Sequence, residues 1–87
     1  MTQVTILMGS ASDKPIAQKA EKILDKMNIT FETYVASAHR TPARVVEVIE
    51  NSSADVFIAL AGLSAALPGV VAAHTLKPVI GVPCASS

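Results

Sequence analysis

Four short runs rich in Val, Ile, Leu and Thr, roughly Gln3–Met8, Thr30–Ala36, Asp55–Leu60 and Pro78–Val82, alternate with stretches of helical spacing along the chain. That alternation restricts the fold more than any other feature. Strands separated by a helix return in parallel through right-handed crossovers, so the order βαβαβαβ predicts a parallel sheet covered by helices. The expected class is α/β, a flavodoxin-like three-layer sandwich with strand order 2-1-3-4. Composition agrees: 51% of residues are apolar and only 3% aromatic, as expected where aliphatic strands are buried on both faces.

The first helix is expected to follow Gly9-Ser10-Ala11-Ser12-Asp13, where glycine permits a sharp turn, Ser12 or Asp13 caps, and Pro15 sits in the first turn. Ile16, Ala20, Ile23, Leu24 and Met27 recur at helical spacing and predict its buried stripe. Asn28 is placed to end it, because asparagine tolerates the left-handed conformation of a helix stop. Thr41-Pro42 predicts a second helix start, with threonine capping and Val45, Val46 and Ile49 turned inward. A third helix is expected over roughly Leu67 to Thr75.

At 87 residues the chain has room for a single small domain, of a size that buries only about 60 to 65% of its unfolded surface. Such a domain is marginally stable and is expected to need company. Seven basic and seven acidic residues give no net charge, and with no basic excess and no aromatic platforms a nucleic-acid partner is not expected. A mononucleotide ligand remains open. Cys84 has no second cysteine for a disulfide or a metal cage, which suits a reducing cytoplasm and a small buried or fraying thiol. The amino terminus lacks the pattern of a secretory signal. The apolar stretch from Val56 to Val82 is interrupted by Gly62, Pro68, Gly69, His74, Lys77 and Pro78, so it is read as strand, loop, helix and strand instead of a membrane span.

Ligands of open parallel sheets bind outside the carboxyl ends of the strands, which directs attention to the loops there. Backbone amides at Gly9 to Asp13, helped by the Ser10 and Ser12 hydroxyls, suit a phosphate, while Asp13 suits ribose hydroxyls nearby. A glycine turn with ordinary capping accounts for this loop equally well. In Ser37-Ala38-His39-Arg40-Thr41-Pro42, His39 can give and retake a proton near neutral pH. Arg40 beside it offers a planar fork for phosphate or carboxylate. The competing readings are a structural histidine and a solvated arginine. The loop Ala61-Gly62-Leu63-Ser64-Ala65-Ala66-Leu67-Pro68-Gly69 is made almost wholly of small residues, which lets backbone approach a flat ligand, with amides before the third helix able to donate to a carboxylate, or else packs a tight strand-to-helix turn. His74 is expected to interact with the last carbonyls of its helix. No metal site, nucleophile elbow or Walker loop is legible, and no cofactor is expected.

Taken together, Met8-Gly9-Ser10-Ala11-Ser12-Asp13, Ser37-Ala38-His39-Arg40-Thr41-Pro42, Ala61-Gly62 with Leu67-Pro68-Gly69-Val70-Val71-Ala72-Ala73, and Pro78-Val79-Ile80-Gly81-Val82-Pro83 resemble the PurE family of purine biosynthesis. The resemblance covers essentially the whole chain and looks like an amino-terminal half, so the sheet is expected to be incomplete relative to the family. It implies interconversion of N5-carboxyaminoimidazole ribonucleotide and 4-carboxy-5-aminoimidazole ribonucleotide, with direct carboxylation of aminoimidazole ribonucleotide as the alternative. The spelling of the second and third motifs resembles the mutase class. Carried over, His39 is implied as the proton carrier. Gly9, Ser10, Ser12, Asp13, Ser37, Ala38, Arg40, Ala61, Gly62, Leu63 and Ser64 are implied as substrate contacts. Homo-oligomers, octamers in the family, are implied as well. Where the family usually has a histidine before Leu-Pro-Gly, this chain has Ala66. That exchange keeps a rival class in view, a nucleotide-binding or assembly domain without turnover. A generic flavodoxin-like signalling domain would want more acids at the rim than Asp13.

Overall fold

The computed structural model describes residues 2–62 and 66–84. Its parallel sheet comprises β1 (Val4–Met8), β2 (Phe31–Val35), β3 (Val56–Ala61) and β4 (Val79–Pro83), and the strand order is β2-β1-β3-β4, as the alternating pattern predicts. All neighbours run parallel, with Val4 opposite Phe31 and Val56, and Phe57 opposite Val79. The strand ends shift by about one residue from the sequence reading, which is the ordinary uncertainty of a boundary. The helices are α1 (Lys14–Lys26), α2 (Pro42–Asn51) and α3 (Leu67–Ala73), with a 3-10 turn at Ala11–Asp13 ahead of α1. Among the described residues no helix is long and apolar enough to cross a membrane.

Alternation along the strands sorts the core into two layers, because successive side chains point to opposite faces. Leu7, Phe57, Ala59 and Ala61 meet Val45, Val48 and Ile49 of α2 and Leu67 and Val71 of α3. Val4, Ile6, Met8 and Leu60 meet Ala17, Ala20 and Leu24 of α1 on the other face. The result is the expected three-layer sandwich. Thr5, fully buried in the middle of β1, is satisfied by the Ser52 hydroxyl at 2.7 Å. Gly81 lets α3 approach β4, since a Cβ there would lie 3.2 Å from the Pro68 ring.

Several local expectations are corrected. The stripe of α1 runs through Ala17, Ala20 and Leu24, so Ile23, roughly a quarter-turn away at 3.6 residues per turn, is 59% exposed, and Met27 in the next turn is 63% exposed. In α2 the buried positions are Val45, Val48 and Ile49, spaced i, i+3, i+4, and Val46 is only half-buried. Neither Asp13 nor Thr41 makes the side-chain cap expected of it. The cap at the first turn is Ser10, whose hydroxyl accepts from the Ser12 amide. Gly9 does not adopt a left-handed conformation, and the space beside its Cα is open. Asn28 does adopt it, at φ 57°, and closes α1 as expected.

Candidate functional site at the carboxyl rim of the sheet

Because every strand is parallel, all the carboxyl ends share one rim, and backbone hydrogen bonds lace the loops onto it. The Gly9 amide donates to Leu60 O at 3.3 Å, the Ala36 amide to Met8 O at 2.9 Å, and the Cys84 amide to Ala61 O at 2.8 Å. Each loop therefore leaves the sheet from a fixed point. A rigid scaffold of this kind is what allows short loops to present chemistry.

In the second loop the Ser37 hydroxyl accepts from the amides of His39 (3.3 Å) and Arg40 (3.1 Å). Thr41 turns its hydroxyl back to accept from the Ser37 amide at 2.9 Å, which is why it is not free to cap α2. Serine and threonine compete for backbone groups in this way whenever a tight turn is within reach. The loop is thus built by its own hydroxyls. It leaves His39 exposed, its imidazole without a hydrogen-bond partner among the described residues. Arg40 reaches across to the first loop, and its Nη2 donates to Gly9 O at 3.3 Å.

Gly9, Val35, Ala36, Ser37, Arg40, Thr41 and Arg44 line a groove of about 280 Å³ between the ends of β1 and β2. Of the residues expected from the sequence, Gly9, Ser37 and Arg40 meet there. His39, Ser10, Ser12 and Asp13 are not part of its lining. Ser10 and Ser12 pair with one another, hydroxyl to hydroxyl, at 2.9 Å. Asp13 is 4% exposed and lies beside Cys84 at the end of β4. Burial, and then the neighbouring Asp13 carboxylate, raise the Cys84 thiol above its ordinary value, while its contact with the Ala61 backbone acts the other way. Asp13 and Cys84 are thus brought together although 71 positions separate them along the chain.

Ala38 is half-buried behind the second loop, and Ala61 and Gly62 lie at the end of β3, Ala61 buried and Gly62 half-buried. Leu63 and Ser64 lie outside the described residues. Ala66 heads α3. His74 has the modest role expected of it, with Nδ1 3.1 Å from Val70 O at the end of α3. The sequence reading missed Arg44 and Thr41 as groove residues. A signal was present, since Arg40 and Arg44 lie four residues apart on either side of the start of α2, close enough in the chain to reach the same rim.

Comparisons with known proteins follow the same lines. The family model described as AIR carboxylase matches residues 3–87. The N5-carboxyaminoimidazole ribonucleotide mutase of Methanocaldococcus jannaschii is 61% identical over 80 residues, 92% of this chain and 51% of that protein. The mutase of Haemophilus influenzae is 48% identical over 88 residues, 98% of this chain and 54% of that one. The crystal structure of Treponema denticola PurE superposes with a TM-score of 0.89 at 32% identity, over 99% of this chain and 57% of the other. The chain spans about half the length of these relatives.

Proposed function

The chain belongs to the AIR carboxylase family, and from that footing we propose that it interconverts N5-carboxyaminoimidazole ribonucleotide and 4-carboxy-5-aminoimidazole ribonucleotide in purine biosynthesis. The observation that carries the reading is the juxtaposition of Gly9, Ser37 and Arg40 around one groove, with the exposed His39 one residue away along the loop. The similarity to proteins named as mutases, at up to 61% identity, favours the mutase over direct carboxylation.

In this reading the hydroxyls of Ser10, Ser12 and Ser37, with Arg40, take the phosphate, and the Asp13 carboxylate accepts from ribose hydroxyls. A carbamate releases carbon dioxide readily, so the protein's task is confinement and proton placement instead of bond-breaking power. His39 gives a proton to the exocyclic nitrogen as its carbon–nitrogen bond breaks. Carbon dioxide then attaches at the imidazole C4, and His39 recovers the C4 proton. Protons balance over the cycle without a cofactor. The small residues Ala61 and Gly62 at the end of β3 keep the gas in place. The resemblance, which implies octamers, makes a homo-oligomer part of the proposal.

A second reading, a nucleotide-binding domain without turnover, is favoured by Ala66, which heads α3 where the family has a histidine. Titrating the chain with aminoimidazole ribonucleotide by calorimetry, and following N5-carboxyaminoimidazole ribonucleotide by chromatography, separates the two. Binding with conversion is expected. Binding alone selects the second reading, and the absence of both overturns the assignment.

A further inference from the structure

Arg44 belongs to the first turn of α2, a turn that holds no acidic residue. A cation there opposes the positive end of the helix dipole, so helix stability alone does not account for it. Its place in the lining of the groove that Arg40 also lines does. Arg40 is held on the β1 side through Gly9 O at 3.3 Å. Arg44 is held on the β2 side, where its Nε donates to Val35 O at 3.4 Å. The Ser37 hydroxyl stands on the loop between them.

An arginine has five N–H donors, and Val35 occupies one of those of Arg44. Its Nη1 is drawn toward Glu47 at 3.8 Å, with both side chains about half exposed or more, at 49% and 66%. An exposed pair at that distance is weak and gives way to a better anion. At about 280 Å³ the groove falls just short of the roughly 300–1,000 Å³ of a whole-ligand pocket. It is the size for one charged end of a ligand.

We propose that Arg44 is a second cation for the phosphate of the ribonucleotide, facing Arg40 across the groove, and that it makes the site discriminate phosphorylated from dephosphorylated ligand. The assignment rests on the proposed function for the identity of the ligand, though not for the anion itself. A phosphate dianion matches two guanidinium groups better than one, and the planar fork of arginine fixes its orientation.

The full chain and its Arg44→Gln and Arg44→Lys variants are titrated with aminoimidazole ribonucleotide, with its dephosphorylated riboside and with inorganic phosphate. Arg44→Gln is expected to weaken the ribonucleotide and inorganic phosphate about five- to tenfold, as for a half-exposed charge-assisted contact. The riboside should bind unchanged, and Arg44→Lys should recover part of the loss. Thermal melting should not fall, because the removed charge opposed the helix dipole. Equal losses for riboside and ribonucleotide, or wild-type affinity for phosphate in Arg44→Gln, overturn the assignment. If phosphate binds in an Arg44-dependent way and the ribonucleotide does not bind, the nucleotide reading fails and the role of Arg44 stands.

Discussion

The Nη2 of Arg40 donates to the carbonyl of Gly9 at 3.3 Å, latching the loop after β2 onto the loop after β1. The contact orients the guanidinium before any ligand arrives. Ordering a long side chain on binding costs about 0.5–1.5 kcal/mol, and a latch of this kind removes part of that cost.

Arg40→Gln should therefore separate stability from binding. Arg40 is exposed, and its loss should change unfolding free energy by about 0.5 kcal/mol or less. A charge-assisted hydrogen bond contributes roughly 1.5–3 kcal/mol, so affinity for aminoimidazole ribonucleotide should fall about ten- to hundredfold. Urea melts and calorimetry on the same preparation check both. A large loss of stability with intact affinity would show the arginine to be a structural latch.

His39→Asn should leave both folding and binding intact and lower turnover about 10²- to 10⁴-fold, the usual contribution of a positioned acid–base group. The imidazole is exposed and makes no hydrogen bond among the described residues, so its removal leaves no group unpaired. The loop itself is held by the Ser37 hydroxyl and the Thr41 hydroxyl. Turnover that persists undiminished in the variant removes His39 as the proton carrier.

The layers and strand order were legible because parallel topology follows from alternation, and alternation is a property of many residues at once. Single positions were harder. Val46 looked as apolar as Val48, but a helix buries i, i+3 and i+4 together, and only Val45, Val48 and Ile49 fit the line facing the sheet. Ile23 and Met27 fell on the α1 stripe by spacing, yet the helix is rotated so that Ala17, Ala20 and Leu24 face inward. Thr41 had the right identity for a cap, but Ser37, four residues earlier, competed for its hydroxyl and won. Residue type and loop position point to Arg40 and His39, and of the two Arg40 lines the groove while His39 is exposed one residue away along the loop. Arg44 was hidden by belonging to the helix, where a charge ordinarily reads as a solvated face. The pairing of Asp13 with Cys84 depends on how the turn ahead of α1 and the end of β4 are set above the rim, which strand order alone does not fix.

Cys84 makes stability depend on pH in the alkaline range. Its thiol is raised above the ordinary value of 9.0, chiefly by burial and then by Asp13. The folded state holds this proton more tightly than the unfolded chain, so the contribution is fully present below about pH 9 and is lost as pH rises toward and through the folded value. Denaturant midpoints should fall above that pH. Cys84→Ala should flatten the first part of the decline. Tyr34 is raised from 10.0, mainly by donating to Glu32, so its share begins about a unit later and should remain in the variant. A decline that keeps the same onset in Cys84→Ala assigns it to another group.

Phe57 and Met27 test where the stability resides. Phe57 is 1% exposed in β3, between β1 and β4, while Met27 is 63% exposed at the end of α1. Phe57→Ala should cost about 3–5 kcal/mol, because a buried aromatic leaves both lost transfer energy and a cavity. For a domain whose total is of order 5–15 kcal/mol, that approaches unfolding. Met27→Ser should change stability by about 0.5 kcal/mol or less, as at other surface positions. The rim should follow the core. β3 supplies the carbonyls of Leu60 and Ala61 that hold Gly9 and Cys84, so hydrogen exchange at the Gly9 and Cys84 amides should accelerate in Phe57→Ala and stay slow in Met27→Ser. Equal exchange in the two variants would mean that the loops are held by their own contacts and not by the sheet beneath them.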